Sequence, residues 1–63
     1  MAEHKFKQGQ RVHLVVSEDR KPIGNYVVVR LMPIVDGIAR YRIRSTRDVN
    51  ECVVSEEILV RAS

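Results

Sequence analysis

Apolar and polar side chains alternate in several short stretches of this chain, each bounded by turn residues, a pattern that predicts strands. The clearest stretch is Ala39 to Ser45, which reads Ala-Arg-Tyr-Arg-Ile-Arg-Ser. Successive side chains of a strand point to opposite faces, so Tyr41 and Ile43 are expected in a core while Arg40, Arg42 and Arg44 form a row outside. Alternate positions lie roughly 6.5 to 7 Å apart along a strand, so the row is a line of three regularly spaced cations.

The rest of the chain reads in the same way. Met1 to Lys5 is expected to be a loose terminus and residues 6–61 the folded domain. Phe6 anchors a first strand whose inward positions are Val12, Leu14 and Val16, and Ser17 to Ile23 is a polar surface loop closed by Gly24. Tyr26 to Met32 is dense in β-branched residues and predicts a second strand, with Tyr26, Val28 and Arg30 on one side and Val27, Val29 and Leu31 on the other. Pro33 lacks a backbone donor and should end it or sit at a bulge; Asp36-Gly37 supplies the residues a tight hairpin turn requires. The arginine-bearing strand returns from that hairpin. Thr46 to Asn50 is turn-rich, and Glu51 to Val54 is a fourth short strand, its register left open. Ser55-Glu-Glu-Ile-Leu predicts one helical or 3₁₀ turn with Ser55 as N-cap and Val54 packing towards Leu59. Leu59 to Arg61 closes the chain as a last strand.

Composition narrows the function classes. Sixty-three residues allow one small domain, with little energy to spare for a strained catalytic pocket. The single cysteine, Cys52, has no internal disulfide partner and reads as a small apolar strand residue, expected to be buried. The first residues are charged, without an apolar stretch resembling a signal peptide, and no run of about 20 apolar residues follows, so the expected compartment is the cytoplasm. The net charge of +3 is unevenly distributed: up to Arg47 ten basic residues face four acids, and from Asp48 onward one faces four. Arginine outnumbers lysine eight to three, and the guanidinium fork suits phosphate or carboxylate better than an ammonium does.

The segments Phe6 to Val12, Tyr26 to Pro33, Tyr41-Arg-Ile-Arg-Ser and Glu51-Cys-Val-Val-Ser-Glu with Ile58-Leu59 resemble small stand-alone bacterial SH3-like-barrel proteins of unassigned function. More distantly they are similar to Tudor and KOW barrels. The resemblance implies an all-β fold, a single SH3-like small barrel of about five strands with one short 3₁₀ or helical turn before the last. It rests on strand, turn and core positions, so it carries fold far better than activity. The chain departs from the aromatic cages of Tudor-like barrels, having only Phe6, Tyr26 and Tyr41, and the same shortage weighs against proline-motif and base-stacking recognition. KOW-type barrels work on ribosomal or transcription complexes, and that analogy keeps nucleic acid in view.

The arginine row has three readings. It is the wet face of a strand, where cations discourage edge aggregation; it contacts phosphates, helped by Arg47, Arg30 and Arg11; or it pairs across strands with Glu51 or the acids of the final turn. His4 and His13 read as solvated surface histidines, Glu18-Asp19 and Glu56-Glu57 as loop and turn acids, and glycines 9, 24 and 37 are too scattered for a phosphate loop. No cofactor, metal or catalytic constellation is expected. The leading expectation is a small non-enzymatic module, monomeric or weakly dimeric, that meets RNA, DNA or a ribonucleoprotein surface through this basic face. The alternative is a protein-interaction or regulatory subunit using a sheet edge or an apolar patch formed by Val15, Val28 and Tyr26.

Overall fold

The computed structural model describes residues 3–16, 18–19 and 21–62. Met1 and Ala2 of the expected loose terminus, and Ser17 and Arg20 of the expected polar loop, lie outside them. The protein is all-β. Strands β1 (Arg11–Leu14), β2 (Ile23–Leu31), β3 (Arg40–Ser45), β4 (Glu51–Ser55) and β5 (Leu59–Arg61) form one antiparallel sheet in the order β4-β3-β2-β1-β5, with a 3₁₀ turn at Glu56–Ile58 before the last strand. Among the described residues no helix is long and apolar enough to cross a membrane.

A single sheet has no second layer to cover it, so it buries a core only by curling over its own inner face. That face carries Phe6, Val12, Val28, Ala39, Tyr41, Ile43 and Leu59, none more than 7% exposed, with Leu14, Tyr26, Ile34 and Val54 packed around them. The edges of Phe6 and Tyr41 meet at 5.6 Å between ring centres and 70° between planes, a favourable aromatic arrangement. The sheet is drawn round by two backbone bonds of the final turn: Glu56 N–H donates to Ala39 O at 2.9 Å, and Val15 N–H to Ile58 O at 2.8 Å. Ser55 occupies the N-cap position but makes no side-chain cap.

The hairpin between β2 and β3 follows its turn chemistry. Asp36 and Gly37 both have positive φ, 54° and 74°, and Val35 and Ile38 exchange backbone bonds of 3.2 and 2.9 Å across them. Positive φ at both central residues is what a hairpin twisted like its strands requires.

Two irregularities decide which residues share a face. Val12 lies opposite Tyr26 but Leu14 opposite Ile23, so β2 carries one extra residue at Gly24-Asn25. Gly24 has φ +68°, and a Cβ there would stand 2.5 Å from Tyr26 Cε2, so both conformation and space demand glycine. Farther along, Val28 pairs with Ile43 and Arg30 with Arg42, which leaves Val29 as a second extra residue. The bulge shifts the parity of everything beyond it: Arg30 leaves the Val28 side and joins the outer face, while Leu31 turns to the Tyr41 side.

Other expectations are corrected. Strand β1 ends at Leu14, so it is Val15 that is buried, at 6% exposure, and Val16 that is exposed, at 61%. Val28 is 1% exposed. Val15 and Val28 are therefore core, and the apolar patch expected of them with Tyr26 is not formed; Tyr26 itself is half-buried against the core. Cys52 is exposed rather than buried: it lies opposite core residue Ile43 on edge strand β4, where no neighbouring strand covers it.

Candidate functional site

In antiparallel strands directly opposed residues share a face, so the register maps the outer surface. Glu51, Arg44, Val27 and Arg11 align across β4, β3, β2 and β1. Beside them run Val53, Arg42 and Arg30, and next Ser55 and Arg40. Five arginines from three strands thus occupy one face, interleaved with valines. Arg11, Arg30, Arg42 and Arg44 are exposed and Arg40 is half-buried. Arg47 stands just beyond, exposed in the β3 to β4 connection.

Little negative charge answers this set. Glu51 lies directly across from Arg44, but its carboxylate reaches diagonally to Arg42, with Arg42 Nη1 and Glu51 Oε1 3.8 Å apart. Among the described residues that is the one ion pair an arginine makes. The cross-strand pairing expected of the row is present for Arg42; among the described residues Arg11, Arg30, Arg40, Arg44 and Arg47 have no carboxylate at ion-pair distance. Arg30 and Arg42 are moreover like charges placed directly opposite, an arrangement that costs stability.

Two shallow grooves lie at the Ser45 end of β3. One, of about 340 Å³, is lined by Arg11, Asn25, Tyr26 and Thr46; the other, of about 400 Å³, by Val27, Arg44, Thr46, Arg47 and Asp48. Thr46 belongs to both. The chain is firmly held here: Thr46 N–H donates to Asn25 O at 3.0 Å, Arg47 N–H to Ser45 Oγ at 3.1 Å, and Asn50 N–H to Asp48 Oδ1 at 2.6 Å. Asp48 is thus in part committed to its own turn.

A contrasting cluster sits at the opposite end of β3. Tyr41 Oη donates to Glu56 Oε2 and accepts from the backbone N–H groups of Lys5, at 2.8 Å, and Phe6, at 3.1 Å. Lys5 N–H also reaches Glu56 Oε2 at 2.9 Å. The phenol hydroxyl, one donor with two acceptor positions, is fully used. His4 lies edge-on to Tyr41 at 5.1 Å and its Nε2 meets Met32 O at 2.7 Å; a carbonyl only accepts, so Nε2 carries the proton. His4 and Lys5, expected in a loose terminus, are instead tied to the sheet. Burial, then the bond to Glu56, pushes the Tyr41 phenol above its ordinary pKa. Desolvation works to raise Glu56, but the bonds from Tyr41 and Lys5 and the nearby Lys5 and His4 charges outweigh it and hold the carboxyl below its ordinary value.

His13, expected to be solvated, is half-buried on the outer face opposite Val60, with Nδ1 2.7 Å from Gly24 O, so it braces the first bulge. Sequence reasoning missed Thr46 and Asn25 as groove residues and the bulge that turns Arg30 outward. Only the glycine at 24 could have signalled an irregularity in β2. Among the described residues no group of three or more His, Cys, Asp or Glu side chains is placed to hold a metal ion. No protein family, curated protein or solved structure matches the chain.

Proposed function

We propose that this protein is a small cytoplasmic binding module of the SH3-like-barrel kind, acting without catalysis, whose outer sheet face engages the phosphate backbone of RNA or DNA, bare or on a ribonucleoprotein surface. The observation that carries this reading is the five-arginine face with one ion pair among the described residues, on which a bulge sets Arg30 directly opposite Arg42. Mutual repulsion is poorly suited to stabilising a 63-residue domain but well suited to gathering a polyanion. Arginine forks bind phosphate oxygens in pairs of hydrogen bonds. Recognition is sequence-independent, because Phe6 and Tyr41 are buried and the rings nearest this face, Tyr26 and His13, are engaged with Gly24, the first packed over it and the second bonded to its carbonyl. The strand order and the 3₁₀ turn before β5 support the barrel assignment.

The test is an amide NMR titration with short mixed-sequence RNA and DNA at low and moderate salt. Shifts should fall on the outer-face arginines and Arg47 and weaken steeply with salt, and replacing Arg40, Arg42 and Arg44 together by Ser should abolish binding with the fold intact. No shift at low salt would sink the reading.

In that event a second reading gains ground, a protein partner at the sheet edge. Its support is the free edge of β4, with Cys52 exposed and Val53 45% exposed. A partner strand adding there would leave binding intact in the triple arginine variant.

A further inference from the structure

Resting on the phosphate reading above, we infer that the phosphodiester chain crosses the sheet at its Ser45 end, running from Arg11 past Thr46 to Arg44 and Arg47, rather than lying along the Arg40, Arg42 and Arg44 row. The row is the weaker track for three reasons. Arg42 is already engaged by Glu51, Arg40 is half-buried opposite Ser55, and neither of the two grooves at the Ser45 end is lined by Arg30, Arg40 or Arg42.

The other direction has what the row lacks. Arg11 and Arg44 flank Val27 on neighbouring strands, which sets their backbones about 9 to 10 Å apart. Arg11 lines one groove, Arg44 and Arg47 line the other, and Thr46 is the wall they share. Among the described residues none of these three guanidinium groups has a carboxylate partner, and neither the Thr46 hydroxyl nor the Asn25 amide makes a hydrogen bond. Both are neutral donors of the kind that join arginine at phosphate oxygens. The backbone around them is held by Thr46 N–H to Asn25 O and Arg47 N–H to Ser45 Oγ, so the groups need little ordering on binding. Asp48 on the second groove opposes an anion, and its carboxylate is partly occupied by Asn50 N–H. In this arrangement Arg30, Arg40 and Arg42 act at longer range, raising the local potential that draws the chain in.

The experiment measures affinity over a salt series for the full chain and for Arg11→Gln, Arg47→Gln, Arg40→Gln and Thr46→Val. The probes are mixed-sequence single-stranded RNA, DNA of the same sequence, and inorganic polyphosphate of similar charge. Each lost phosphate contact lowers the slope of log K against log salt by roughly 0.7 for a single strand. Arg11→Gln and Arg47→Gln should each do so, and Arg40→Gln should leave the slope unchanged. Thr46→Val removes a neutral donor, so it should weaken binding roughly two- to tenfold at every salt concentration without altering the slope.

A slope lost in Arg40→Gln but kept in Arg11→Gln and Arg47→Gln overturns the crossing track and leaves the phosphate reading standing. Binding by the unaltered chain to neither nucleic acid overturns the phosphate reading itself. Polyphosphate bound more tightly than either oligonucleotide, with the same residue dependence, overturns nucleic acid as the source of the phosphates.

Discussion

At one end of β3 the hydroxyl of Tyr41 is satisfied by Glu56 and by the amides of Lys5 and Phe6, and Lys5 N–H reaches back to the same carboxylate. On the outer face of the same strand, Arg40 and Arg44 project with no carboxylate partner among the described residues, and Arg42 pairs with Glu51 at 3.8 Å while facing Arg30. One strand therefore serves two regions with opposite electrostatics. Polar groups answered inside the molecule hold a small core together. Charges left unanswered, and set against each other, contribute to folding only as a cost and so point outward, to a partner. If the contrast is real, substitutions at the Tyr41 corner should move stability and leave binding alone, and substitutions on the face should do the reverse.

The largest effect is expected from Tyr41→Phe. The ring keeps its place, but the buried Phe6 N–H loses its acceptor and Glu56 loses one of its two donors. Leaving buried groups unpaired costs about 1 to 3 kcal/mol. That is a large share of the roughly 3 to 5 kcal/mol a core of this size supplies, so the urea midpoint should drop sharply. Oligonucleotide affinity, measured well below that midpoint, should stay as it was. An unchanged midpoint would mean that the corner does not hold the segment from His4 to Phe6.

A smaller effect follows from acid. The folded-state pKa of Glu56 is depressed, so its contribution is present above the ordinary glutamate pKa and is lost as pH falls through the folded value. Urea midpoints should therefore decline from about pH 5 downward, and Glu56→Gln should flatten that decline. Tyr41 shifts the other way: its raised pKa makes its contribution complete below the ordinary tyrosine value and lost as pH rises through the folded one. Stability should thus have an acid limb that depends on Glu56 and an alkaline limb that depends on Tyr41. An acid limb as steep in Glu56→Gln as in the parent would assign it to other carboxylates.

These two regions were not equally legible in the sequence. The inside and outside of β3 follow from strict alternation, and Tyr41 and Ile43 do enter the core while the arginines stay out. The Asp36-Gly37 hairpin followed from turn chemistry, and the 3₁₀ turn from its polar first positions and apolar end. Parity arguments fail wherever a residue is inserted into a strand or the strand ends, and one failure of each kind occurs here. The insertion at Val29 carried Arg30 to the opposite face from the one alternation gives it. The end of β1 at Leu14 exchanged Val15 and Val16, because alternation no longer applies past the last strand residue. Cys52 was misread because apolar character alone does not say whether a neighbour exists to cover it. The Tyr41 corner was invisible because it joins Lys5 to Glu56, 51 positions apart, and local pattern carries no information about such pairs.

The smallest expected effect is also the sharpest in sign. Arg30→Gln removes one of two like charges held directly opposite by the Val29 bulge and leaves the Arg42 to Glu51 pair in place. Glutamine retains part of the aliphatic stem, so lost packing is minor. Relief of a cross-strand repulsion of this kind should raise stability by about 0.2 to 1 kcal/mol at low salt. The gain should fade as salt screens the two guanidinium groups, because both are exposed and the Debye length shrinks to about 8 Å at physiological ionic strength. It should also fade when saturating oligonucleotide is present at low salt, since a polyanion near the face supplies the screening that Gln supplies by deletion. A variant more stable alone but no more stable than the parent in complex would locate the cost of the arginine face in the unliganded state. Should Arg30→Gln destabilise the free protein instead, Arg30 belongs to the region that holds the fold, and the division between the two regions would have to be redrawn at β2.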